Sequence, residues 1–94
     1  MVRTKKTYAD PIMTIKLTAY NIDRADIIAW FEANDVTDKH GNKHAPEEIS
    51  KAMRSGREPR HDDIRRAINK MIAEREEQQG FRYLITVERF EKKL

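Results

Sequence analysis

Residues 61–80 carry the clearest hydrophobic pattern in the chain. Their apolar side chains recur every three or four residues, which places one set on a single face of an α-helix: Ile64, Ala67, Ile68, Met71 and Ile72. Asp62 and Asp63 favour a helix N-terminus, and Gly80 suits a helix end. The pattern predicts a helix from Asp62 to Gln79, with the opposite face turned to solvent or a partner: Arg66, Asn69, Lys70, Ala73 and Glu77.

Two other segments alternate between apolar and polar positions, which is typical of half-buried strands. In residues 12–20 the odd positions from Met13 to Ala19 are apolar. In residues 81–91 the alternating positions are aromatic or β-branched: Phe81, Tyr83, Ile85 and Val87. We predict that the two segments form a small two-stranded sheet, or that each pairs with another chain, because an open strand edge attracts further strands.

Two shorter helices are predicted between these segments. Residues 24–34 follow the capping side chain of Asp23 and contain Trp30, which we expect to be a core anchor. Pro46–Ser55 begins with a proline at the first helical position. Residues 35–45 are predicted to be a loop or a short hairpin. The order is therefore β-α-α-α-β and the class α+β, with a flexible basic arm at residues 1–11 and one domain at residues 12–94.

The apolar faces of these elements predict the core. It is expected to contain Ile15, Leu17, Ile27, Ile28, Phe31, Ile49, Met53, Ile64, Ile68, Met71, Ile72, Tyr83, Ile85 and Val87.

A short helix, a turn, a longer helix and a strand resemble a winged helix-turn-helix in outline. In that class the second helix of the motif enters the major groove of DNA. By this analogy His61, Arg65 and Arg66 face the bases, while Arg57 and Arg60 lie on the backbone. The second strand of the wing would have to come from residues 12–20 or from elsewhere, because residues 81–90 contain no turn residue.

Charge makes the same region a candidate nucleic-acid surface. Residues 51–70 hold seven basic and three acidic residues, a net +4, whereas the whole 94-residue chain has +3. Such localised positive charge is what attraction to phosphates requires. The candidate contacts are Arg54, Arg57, Arg60, His61, Arg65, Arg66 and Lys70, together with Arg3, Lys5 and Lys6 of the arm.

Other chemistry has little support in the sequence. The chain has no cysteine. A metal site could be imagined from His40 and His44 with Asp35, Asp38 and His61. The two histidines, however, are four residues apart and would need a helix to share a face, whereas the Gly-Asn pair between them favours a turn. It also lacks a nucleophile elbow and a glycine-rich phosphate loop. We expect a protein that is not an enzyme and has no cofactor. With no apolar run of ~20 residues, no membrane partner is expected and the expected location is cytoplasmic.

Two functions remain open from the sequence. The first is a small regulatory or accessory protein that binds nucleic acid through Pro46–Ser55 and the helix in residues 61–80. The second is a protein-binding module or inhibitor that uses an open strand edge or the surface around Tyr20, Phe81 and Phe90, with its charges serving solubility. A homodimer is compatible with either.

Overall fold

The computed structural model describes residues 8–80, and this part of the chain is helical. It contains α1 (Pro11–Ala19), α2 (Arg24–Ala33), α3 (Pro46–Ser55) and α4 (Asp62–Gln79), with a 3-10 turn at Pro59–His61. Among the described residues there is no strand, and one isolated antiparallel bridge joins Thr37 to Lys43. The predicted α+β class, with its two-stranded sheet and winged-helix outline, is therefore wrong.

The error begins in residues 12–20, which form α1 and not a strand. Asp10 caps this helix by accepting a hydrogen bond from the Met13 N–H at 3.1 Å. Pro11 occupies the first helical position, where its missing N–H has no intrahelical partner to lose. The same residues also fit one face of a helix, because Leu17 lies four residues after Met13 and Tyr20 lies three residues after Leu17. All three are buried.

Residues 8–10 are attached to the rest of the fold. The Tyr8 carbonyl accepts a hydrogen bond from the Arg57 N–H at 2.9 Å. Asp10 is 7% exposed. Residues 1–7 of the predicted arm and the predicted strand at residues 81–91 lie outside the described residues.

Helix α4 confirms the prediction for its bounds and for both of its faces. Its buried residues are Ile64, Ile68, Met71 and Ile72, and the five residues predicted to face outward are exposed. It ends at Gly80, whose φ of +82° lies in the left-handed region that favours glycine.

The other helices pack against α4. α1 runs in the same direction: Lys16 Nζ lies 3.6 Å from Glu76 Oε1, and the Tyr20 hydroxyl donates to the carbonyl of Gly80. α2 is joined to α4 by the Trp30 indole N–H, which donates to Glu74 Oε2 at 2.7 Å.

Most of the predicted core is buried. Leu17, Ile27, Phe31, Ile49 and the four core residues of α4 are buried as predicted, whereas Ile15, Ile28 and Met53 are half-buried. Tyr83, Ile85 and Val87 lie outside the described residues. The prediction missed Met13, Tyr20, Ile22 and Ala52, which are also buried.

Residues 35–45 form a tight turn closed by the Thr37–Lys43 bridge. Asp38 Oδ1 accepts from the backbone N–H groups of His40 and Asn42, at 2.8 and 3.0 Å. The Asn42 hydrogen bond is the largest cause of the lowered pKa of Asp38. Gly41 supplies a φ of +82° at the tip.

We expect Ile68→Ala to lower the free energy of unfolding by about 2–5 kcal/mol, because this fully buried side chain would leave a cavity. Ile12→Ala is the matched control, since Ile12 is 47% exposed and loses little buried area. Urea unfolding of both variants measures the difference. Equal losses would contradict the packing of α4 described above.

Candidate nucleic-acid interface

The candidate interface is the basic segment, residues 51–70, which spans the end of α3, the connecting turn and the first half of α4. Six of its seven basic residues are exposed: Lys51, Arg54, Arg57, Arg60, Arg66 and Lys70. Arg66 and Lys70 are four residues apart on the outer face of α4, so their side chains are neighbours.

Charge is unevenly distributed over the described residues. Residues 8–80 contain twelve Lys or Arg and fourteen Asp or Glu, a net −2, and seven of the twelve cations belong to the basic segment. The rest of the described chain has five cations against eleven carboxylates, a net −6. A positive segment on an otherwise acidic fold can orient a polyanion toward one region.

Several cations of the segment have a carboxylate nearby. Arg60 Nε lies 2.9 Å from Glu58 Oε1, and Arg66 Nη1 lies 3.8 Å from Asp63 Oδ1. These pairs lie at the surface, where such contacts contribute ~0–1 kcal/mol. No ion pair within the described residues involves Arg54 or Lys70. The exposed cations therefore keep donors available for a phosphate.

Arg57 and Arg65 differ from the others because they share one carboxylate. Arg57 Nη2 lies 4.0 Å from Asp10 Oδ1, and Arg65 Nη1 lies 3.9 Å from Asp10 Oδ2. Arg65 Nη2 is also 3.9 Å from Asp62 Oδ1. Asp10 was missed by sequence reasoning. The Asp-Pro pair before an apolar run was a usable signal for its capping role, although not for its ion pairs.

His61 is placed in the interior and not at the interface. Its side chain is 0% exposed, so it cannot touch a nucleic acid in this conformation. Nδ1 lies 3.3 Å from both Oγ and O of Ser55, and Nε2 lies 3.3 Å from Glu48 Oε2. The imidazole thus lies between a hydroxyl and a carboxylate, but an enclosed imidazole cannot reach a substrate. The arrangement ties α3 to the start of α4.

Glu48 is the partly exposed carboxylate of this arrangement. Partial burial raises the pKa of Glu48, but the hydrogen bonds from His61 and Lys51, together with nearby positive charge, lower it by more. The pKa of Glu48 therefore lies below its ordinary value of 4.5.

Glu48→Gln should reduce stability near neutral pH, because it removes the carboxylate that His61 faces. A lowered pKa in the folded state gives stability that is present above the ordinary value and lost as pH falls through the lowered value. The difference from wild type should therefore shrink in acid. Glu47→Gln, in the same first turn of α3, is the control. Urea unfolding across the acidic pH range measures the stability of both variants. A loss of stability in Glu48→Gln that does not change with pH would contradict the lowered pKa of Glu48.

Two clefts among the described residues lie outside the basic surface or at its edge. A cleft of about 300 Å³ lies between α2 and the start of α3, lined by residues that include Phe31, His44 and Ile49. A second, of about 400 Å³, is lined by mixed charges that include Asp38, His40 and Glu48. Across residues 8–80 no group of three or more His, Cys, Asp or Glu could hold a metal ion.

The protein-binding alternative loses the strand edge that residues 12–20 were predicted to supply. Tyr20 is buried, while Phe81 and Phe90 lie outside the described residues, as do Arg3, Lys5 and Lys6. None of the helices in the described part is both long and apolar enough to cross a membrane. Comparison with models of protein families, with curated proteins and with solved structures finds no match to this chain.

Proposed function

We propose that this protein is a small nucleic-acid-binding regulatory or accessory protein that contacts the phosphate backbone through the basic segment. The observation that supports this function is the group of six exposed cations on a described region that is otherwise acidic. Cations that neutralise phosphates release condensed counterions, which gives affinity without reading a sequence. A cytoplasmic location is part of the proposal.

The proposed phosphate contacts come from three parts of the fold. Arg66 and Lys70 contact phosphates from the outer face of α4, and Arg54 does so from the last turn of α3. Arg57 and Arg60 act from the turn between the two helices. His61 has a structural role and is removed from the set of contacts.

Arg66→Ala with Lys70→Ala tests this function. Both side chains are exposed, so the double variant should keep its fold. If each contacts one phosphate, affinity for all duplex sequences falls, and the slope of log affinity against log salt decreases in magnitude by up to ~2. Fluorescence anisotropy with a labelled duplex over a series of salt concentrations measures both quantities.

Lys39→Ala with Lys43→Ala is the matched control. It removes the same charge from exposed positions in the tight turn, outside the basic segment. An equal loss of affinity in the two double variants would mean that net charge, and not this surface, determines binding. A wild-type protein that is folded by circular dichroism, yet has no affinity for duplex or single-stranded nucleic acid at ~50 mM salt, would overturn the proposed function.

A further inference from the structure

Two arginines of the basic segment converge on one internal anion. The two oxygens of the Asp10 carboxylate face different partners: Oδ1 is 4.0 Å from Arg57 Nη2, and Oδ2 is 3.9 Å from Arg65 Nη1. Both guanidinium groups therefore lie within 4.0 Å of the same small oxyanion, the Asp10 carboxylate. Arginine favours phosphate because its planar donors match the oxygens of that group.

The Asp10 carboxylate does not satisfy the hydrogen-bond donors of these two arginines. Its Oδ1 accepts the Met13 N–H that caps α1, at 3.1 Å. Separations of 3.9 and 4.0 Å from the guanidinium nitrogens are longer than hydrogen bonds. The carboxylate attracts the arginines but leaves their N–H groups able to bind another acceptor.

The arginines remain accessible, whereas Asp10 is enclosed. The side chain of Arg57 is 57% exposed and that of Arg65 is 33% exposed, against 8% for Asp10. A phosphate can therefore approach the guanidinium groups from the solvent side while Asp10 stays in place beneath them. Its negative charge then opposes that of the phosphate.

We propose that Arg57 and Arg65 form a phosphate-binding pair, and that Asp10 limits the affinity of this pair. The inference rests on the proposed function and adds to it an internal anion that regulates the same surface. A carboxylate within several ångström of a bound phosphate weakens binding by about three- to tenfold at low salt.

Asp10→Asn is the decisive variant, since asparagine caps helices as well as aspartate does. It keeps the cap of α1 and removes the charge. Asp23→Asn is the matched control, because Asp23 caps α2 in the same way, accepting from the Asp26 N–H at 2.9 Å. No ion pair within the described residues joins Asp23 to a cation. Each substitution raises the net charge of the chain by one.

Two probes are used on the full chain. The first is a labelled DNA duplex, for which Asp10→Asn should bind about three- to tenfold more tightly than wild type and Asp23→Asn within about twofold of it. The second is inorganic phosphate, which should raise the melting temperature of Asp10→Asn more than that of Asp23→Asn or wild type. Adding Arg57→Gln to Asp10→Asn should remove both gains.

The outcomes separate this inference from the function on which it rests. Equal gains in Asp10→Asn and Asp23→Asn, or no gain in either probe, would overturn the role of Asp10. If the wild-type protein fails to bind the duplex while phosphate still stabilises Asp10→Asn selectively, the proposed function fails and the phosphate-binding pair stands. If Asp10→Asn does not fold, Asp10→Ser repeats the test, because serine also caps helices and carries no charge.

Discussion

Burial of one face of α4 is the constraint on which the rest of the structure depends. Its four core residues are buried, and α1, α2 and α3 all pack against this helix. A chain with 37% charged residues has few other apolar surfaces to bury. Because one face of α4 is committed to the core, the opposite face must meet solvent. Arg66 and Lys70 are exposed for that reason.

Buried residues fix the backbone of the turn between α3 and α4. The arginines of this turn therefore start from a defined backbone position. Gly56 is buried there, and a Cβ at this site would lie 2.9 Å from Met13 Cε and 3.0 Å from Ala52 O. His61 is enclosed between Ser55 and Glu48 on the other side of the turn. Groups fixed before binding lose less conformational entropy when a partner arrives. Arg57 and Arg60 are attached to this turn.

Asp10 connects folding with the charge of the candidate interface. The same carboxylate begins α1 and lies beneath Arg57 and Arg65. The loss of its charge would therefore change the electrostatics of the surface even where the helix cap is preserved. Such a dual role would make the N-terminal end of α1 part of the proposed interface, although no basic residue of α1 contributes a proposed contact.

The sequence by itself determined α2 to within one residue, α3 and α4 in full, most of the core, and the exposure of Arg54, Arg57, Arg60, Arg66 and Lys70. These features follow from local periodicity and from caps, which act over a few residues. The tertiary structure decided α1, because strand and helix periods overlap in nine residues and packing of Met13 and Leu17 selects the helix. It also decided the burial of His61 and the pairing of Asp10 with Arg57 and Arg65. Those contacts join residues far apart in the chain, and no local pattern encodes them.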